Sequence, residues 1–253
     1  MTDVSTTTTI GDVVAGDLRS AAVFARYGID FCCGGRRSIE DACRSRGISP
    51  DIVLRDLESI AHRHETAQSD DMTTWPLDRV IDHIVTNHHS YVRRQIPVIQ
   101  AYVDKLAAKK SERFPAMRQI AEGWTALAEE LARHLDKEEA ILFPAIRALF
   151  QASAEGEALP RTPFGTIQNP VRVMELEHVH AGNGMWQVRQ LTNNYQPPAD
   201  ACVTWRACYA ELEAFERDLH LHVHLENNIL FPAAARLEEH FSRRWSSRSC
   251  SRG

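Results

Sequence analysis

One eleven-residue phrase occurs twice in this chain. His134-Leu-Asp-Lys-Glu138-Glu-Ala-Ile-Leu142-Phe143-Pro144 returns as His222-Val-His-Leu-Glu226-Asn-Asn-Ile-Leu230-Phe231-Pro232, so both copies read His-x-x-x-Glu-x-x-Ile-Leu-Phe-Pro. On a helix, residues four apart stand one above the other, which stacks an imidazole and a carboxylate on one face. A nitrogen and an oxygen donor so placed can hold one metal ion or bridge two. The repetition points to a metal site inside a helical bundle.

The apolar periodicity around the phrase is helical. From Trp75 onward it predicts four long helices, from about Leu77 to Leu106, Phe114 to Phe150, Pro170 to Asn193 and Asp200 to Phe241. No alternating β-branched run competes, so the fold class is all-α, a four-helix bundle preceded by a small helical domain. That domain covers 1–61. It holds a helix over Ile10 to Tyr27, a turn-rich connection Ile29-Asp-Phe-Cys-Cys-Gly-Gly35, and a helix that opens at the capping box Ser38-Ile-Glu-Asp41 and stops at Gly47. A further helix opens at Ser49-Pro50. The polar stretch 62–74 reads as a linker, 75–241 as the bundle, and the basic 242–253 as a disordered tail.

In the fourth bundle helix Leu212, Phe215, Leu219, His222, Glu226, Ile229 and Ala233 recur at steps of three and four, the stripe that faces a core. Leu127, Leu131, His134, Glu138, Ile141 and Ala145 do the same in the second. Carboxylates and imidazoles at core positions need a common explanation, because a buried ionised carboxylate is costly unless paired or metal-bound. The third helix gives Val171, Met174, His178, Ala181, Met185 and Val188, which includes His178 and leaves His180 off the stripe. The first gives Val85, His89, Val92, Ile96, Ile99, Val103 and Leu106. That series favours His89 as the ligand, with His88, one 100° step away, as the alternative.

The offsets agree: 89 residues from His89 to His178, and 88 from His134 to His222 and from Glu138 to Glu226. Two helical hairpins would each donate one His and one His/Glu pair. Four His and two Glu suit a dinuclear centre of iron, manganese or zinc, with bridging carboxylates. His220 and His224 lie two residues either side of His222 and read as surface residues.

The net charge of −5 and the lack of a long basic run before the last dozen residues argue against nucleic acid as the main partner. No apolar run is long enough to span a bilayer. The first residues lack the pattern of a secretory signal. Six cysteines in 253 residues do not make a disulfide scaffold, and the adjacent Cys32 and Cys33 suit a reducing compartment. A cytoplasmic protein is expected.

With these residues in hand, the chain resembles a known family. The His-x-x-x-Glu bundle is similar to a hemerythrin-like domain. Together with Tyr27-Gly-Ile-Asp-Phe-Cys-Cys-Gly-Gly35 it resembles the iron–sulfur cluster repair di-iron proteins, the RIC family. Phe31-Cys-Cys-Gly-Gly35, Asp82-His-Ile, Glu177-His178 and the two Leu-Phe-Pro blocks carry the resemblance from about residue 10 to 235. It implies two non-haem iron ions joined by an oxo bridge, held at His89, His134, Glu138, His178, His222 and Glu226. It also implies restoration of iron–sulfur clusters damaged by nitric oxide or oxidants, by donation of iron. Damaged iron–sulfur proteins are then the expected partners and nitric oxide or oxygen the small ligands, with a homodimer left open. Nitric oxide reduction at the same centre, and binding or sensing of oxygen or nitric oxide, are the rival readings.

Cys32 and Cys33 have a functional reading as a thiol or iron-transfer site. The nearby helix N-terminus with Arg36 and Arg37 would favour thiolate, and Cys43 could be a third thiol nearby.

Overall fold

The computed structural model describes residues 4–63, 71–158 and 162–250. Every regular element among them is helical, with one isolated bridge between Thr9 and Ser38, so the fold is all-α.

Four short helices come first: α1 (Ile10–Gly16), α2 (Ala21–Arg26), α3 (Ile39–Arg46) and α4 (Pro50–Arg63). The single helix expected from Ile10 to Tyr27 is broken. Asp17 is extended at φ −154°, its carboxylate accepts the Arg19 N–H at 3.0 Å, and Leu18–Ser20 form a 3-10 turn. An Asp that bonds its own downstream backbone competes with helix, and here it wins. The α3 boundaries follow their signals. Ser38 Oγ accepts the Asp41 N–H at 3.1 Å, and Gly47 closes the helix in the left-handed region at φ 68°. The linker expected at 62–74 lies mostly outside the described residues, and at its end Asp71 caps a 3-10 turn, Met72–Thr74.

The long helices are interrupted in a regular way. α5 (Leu77–His83) and α6 (Ser90–Lys110) are joined by a π-helical turn, Ile84–His89. α7 (Ala116–Lys137) and α8 (Phe143–Glu155) are joined by a second, Glu138–Leu142, and α10 (Val203–His224) and α11 (Phe231–Cys250) by a third, Leu225–Leu230. Only α9 (Gln168–Leu191) runs through as a plain α-helix. A π turn bonds i to i+5 and so holds one residue more than an α turn.

After Glu138 that extra residue shifts the core stripe by one, whereas Ile229, the counterpart of Ile141, stays buried. Ile141, expected on the seam, is 50% exposed, whereas Leu142, Phe143 and Ile146 are buried. Ile84 is buried where Val85 was expected, and Ala234 where Ala233 was. In α9 the six-residue stripe is buried as expected. The tail expected to be disordered is helical as far as Cys250, with an Arg243–Glu239 ion pair at i, i+4.

The described residues fall into two compact units. One comprises Asp82–Ala145 and Asn169–His220. Its core includes Ile99 and Val103 of α6, Trp124 and Leu127 of α7, Met185 of α9, and Leu212 and Phe215 of α10. α6 packs on α7, and Trp124 meets Phe215 edge-on at 4.9 Å. Each such side chain stabilises the fold by about 1.5–3 kcal/mol. The α9–α10 connection turns on three consecutive left-handed residues, Asn193, Asn194 and Tyr195. Asn tolerates that conformation, and buried Tyr195 is fixed by its N–H bond to Thr192 Oγ1 at 3.1 Å.

The other unit comprises Met1–Ile81, Ile146–Gln168 and Leu221–Gly253. α4 packs on α2 and α3, and α1 packs on the π turn Leu225–Leu230. Its core is built from Ile10, Val14, Phe24, Ile39, Val53, Leu230 and Phe231. Among the described residues no helix is long and apolar enough to cross a membrane.

Candidate metal centre

Within the unit of Asp82–Ala145 and Asn169–His220, four of the expected ligands come together. Glu138 opens the π turn Glu138–Leu142 and is 0% exposed. One of its oxygens lies 3.4 Å from His89 Nε2, and the other lies 3.3 Å from His134 Nε2 and 4.0 Å from His178 Nε2. His134 Nε2 and His178 Nε2 are 3.0 Å apart. A carboxylate that turns each oxygen to a different imidazole has the form of a bridge between two cation positions. His89 closes its own π turn, Ile84–His89, so both turns place an expected ligand.

Outer carboxylates fix the rings. Glu139 accepts from His89 Nδ1 at 2.8 Å, and Glu177 accepts from His134 Nδ1 at 2.7 Å. A carboxylate only accepts, so Nδ1 carries the proton in both rings and Nε2 presents a lone pair inward. Glu177 also pairs with Lys137, and Glu139 with Arg93 at 3.0 Å. Burial pulls both carboxyls upward, but hydrogen bonds from His89 and Arg93 hold Glu139 below its ordinary value, and those from Lys137 and His134 do the same for Glu177. Neither Glu139 nor Lys137 was singled out in the sequence. A residue next to a ligand is rotated 100° from it, so an argument from one helix face passes over it.

His88 is turned elsewhere, its Nδ1 3.0 Å from Asp218 Oδ1. His180 is exposed. With Glu130, His134, Lys137, Glu177 and His178 it lines a cavity of about 200 Å³.

In the other unit His222 and Glu226 are both buried, with His222 Nε2 3.0 Å from Glu226 Oε1. Glu226 lies in the π turn Leu225–Leu230. His220 is only half-buried. His224, expected at the surface, is fully buried: its ring meets Phe31 edge-on and its Nδ1 accepts from Asn228 Nδ2 at 3.0 Å. Burial pushes its pKa down to about 4 despite the Phe31 carbonyl, so the ring is neutral. The sequence carried a signal for this. Between Asp218 and Arg236 the only formally charged residue is Glu226, and a helix without charge on either face is covered all round.

Cys32 and Cys33 form a small group with Asp30 in the same unit. Their Sγ atoms are 4.0 Å apart, and Cys32 Sγ donates to Asp30 Oδ1 at 3.2 Å. The expectation of thiolate fails at Cys32. Its hydrogen bond with Cys33, burial and the Asp30 charge raise its pKa well above the ordinary thiol value. Arg37 is engaged with the Asp41 carbonyl at 2.6 Å. Cys43 is buried in α3, outside the group, and burial raises its thiol too.

The donor sets fit the expected metal chemistry. Buried imidazole nitrogens and carboxylate oxygens, with second nitrogens fixed by carboxylates, suit iron, manganese or zinc rather than calcium or copper(I).

Known proteins resemble this chain. Residues 80–234 match the hemerythrin HHE cation binding domain, and residues 6–61 match a domain of unknown function, DUF542. The iron–sulfur cluster repair protein YtfE of Enterobacter sp. (strain 638) is 35% identical over 225 residues, 89% of this chain and 95% of that protein. Its counterpart in Musicola paradisiaca (strain Ech703) is 34% identical over 229 residues, 90% and 96% of the two chains. That of Escherichia coli O81 (strain ED1a) is 33% identical over 225 residues, 89% and 95%.

Proposed function

Because this chain belongs to the iron–sulfur cluster repair family built on a hemerythrin-type cation-binding domain, we propose that it binds two non-haem iron ions and repairs damaged iron–sulfur clusters by handing iron on. The proposed ligands are His89, His134, Glu138, His178, His222 and Glu226. The observation that carries this reading is Glu138, whose two oxygens face different histidines from a fully buried position. Bound iron would supply both the transferable cargo and its redox chemistry. The chain's own groups would do the rest. Glu139 and Glu177 hold His89 and His134 with Nε2 inward, and the cavity beside His134 and His178 gives a route to solvent.

In this reading 1–61 is the thiol-bearing domain, 75–241 the metal-bearing bundle, and Cys32 and Cys33 assist the passage of iron. The protein would act in the cytoplasm on damaged iron–sulfur proteins. Purified protein should carry two irons per chain and restore a nitric-oxide-damaged cluster enzyme when no other iron is supplied. One zinc per chain would refute the iron centre, and two tightly held irons without restoration would refute donation.

The cavity of about 200 Å³ favours a second reading, because it has room for small molecules beside His134 and His178. Sustained anaerobic turnover of nitric oxide to nitrous oxide with a supplied reductant would replace donation with catalysis.

A further inference from the structure

The turn that bears Cys32 and Cys33 is held by one side chain. Asn228 Nδ2 lies 3.1 Å from the Cys32 carbonyl, 3.3 Å from the Phe31 carbonyl and 3.0 Å from His224 Nδ1, so its two hydrogens serve three acceptors, one of them shared between the two carbonyls. His224 Nδ1 thereby accepts, which leaves the ring proton on Nε2, a buried atom. The other edge of the amide rests on two glycines. A Cβ on Gly11 would come within 2.8 Å of Asn228 Oδ1, and one on Gly35 would come closer still. The two glycines are themselves tied, Gly11 N–H donating to the Gly35 carbonyl at 2.8 Å.

The location matters as much as the bonds. Asn228 sits in the π turn Leu225–Leu230, two residues after Glu226. The same turn therefore carries a proposed iron ligand and the anchor of the thiol pair. A residue placed to fill space would leave its polar atoms to chance. This one gives its hydrogens to the backbone of the cysteine turn and to His224, and its oxygen lies against two glycines.

We propose that Asn228 is the positioning residue of the thiol pair: through the Phe31 and Cys32 carbonyls it fixes Cys32 and Cys33 against Asp30, and its donor hydrogens, not its volume, perform that role. The proposal deepens the iron-handling reading and rests on it for the purpose of the turn. The geometry it asserts can be tested without iron.

The test is alkylation of the metal-free full-length protein by iodoacetamide, with Cys32 and Cys33 followed separately by mass spectrometry. Asn228→Asp keeps the shape but turns an acceptor toward the two carbonyls. It should speed Cys32 labelling by about tenfold or more, the effect of losing hydrogen bonds worth roughly 1 kcal/mol each. Gly35→Ala drives a methyl into the amide from the other side and should give the same acceleration. If Asn228→Asp does not accumulate as folded protein, Gly35→Ala decides the matter. Cys32 labelling within about twofold of the parent in the folded variants overturns the proposal, since lost hydrogen bonds must show in local opening.

A second measurement separates positioning from general stability. Iron-loaded Asn228→Asp should retain its iron content yet lose cluster repair to the extent that Cys32→Ser/Cys33→Ser does. Loss of the iron together with repair would make Asn228 a structural support of the metal turn and overturn the proposal. If the double serine variant repairs clusters as well as the parent, the iron-handling role of the thiols falls, while the labelling result still judges Asn228.

Discussion

Glu139 accepts a hydrogen bond from Nδ1 of His89 at 2.8 Å, and that bond decides which ring nitrogen faces Glu138. With the proton fixed on Nδ1, Nε2 is ready to ligate without a change of tautomer. Arg93 donates to the same carboxylate, which keeps it ionised and aimed.

Glu139→Ala is therefore expected to weaken iron(II) binding by roughly 10–100-fold while leaving the helical content intact. Titration against a coloured chelator, with circular dichroism alongside, measures both. Unchanged affinity would show that the ring is oriented by packing alone, for instance by its stacking on Phe143 at 5.5 Å.

The one-residue shift of the core stripe is tested by neighbours. Leu142→Ala, at a position 1% exposed, should lower unfolding stability by about 2–5 kcal/mol, while Ile141→Ala, 50% exposed, should stay within about 0.5 kcal/mol of the parent. Denaturant unfolding reads both. The reverse order would restore the uninterrupted α register that simple periodicity suggests.

Stability of the metal-free protein should depend on pH through His224. Its pKa is about 4 in the fold against 6.5 when unfolded, so between those values the unfolded chain binds more protons. Stability then rises with pH across that window and is lost as pH falls from 6.5 toward 4, by about 3 kcal/mol at most. Glu139 and Glu177 act lower. Their depressed carboxyls contribute fully above the ordinary value of 4.5 and lose that contribution as pH falls through their folded values. Midpoints of urea unfolding at a series of pH values should rise less steeply between pH 4 and 6.5 in His224→Leu than in the parent.

The two thiols should differ in reactivity. Cys32 is buried with its pKa raised, while Cys33 is half-buried, so at neutral pH Cys33 should be alkylated about tenfold faster. Equal rates would mean that the turn opens as a unit before either sulfur reacts.

Much of the proposed site could be read from the chain because its candidate ligands sit at helical spacing on otherwise apolar stripes. His178 is the clearest case, in a helix with no interruption, where every expected core position of α9 is buried. Downstream of Glu138 and Glu226 the same reasoning misplaced Ile141 and Ala233, because α periodicity assumes 3.6 residues per turn and the π turns do not keep it. Asp17 broke a helix that looked continuous, through a side-chain bond that leaves apolar spacing untouched. Glu139 and Glu177 were invisible as supports for a different reason. They reach their histidines across the fold, at separations of 50 and 43 residues, and no local pattern records a contact of that kind. His224 was misjudged by looking at one helix face, when both faces are covered.

The three π turns also set a rule for anyone who would transplant this centre. A designer who copied the His and Glu spacing onto an ideal four-helix scaffold would reproduce the letters of the motif and lose its phase. Ile141 would turn inward and Phe143 would rotate off the core. The portable unit is the proposed ligand together with its surplus residue, and a graft that omits the surplus should bind metal poorly even with all six proposed ligands present.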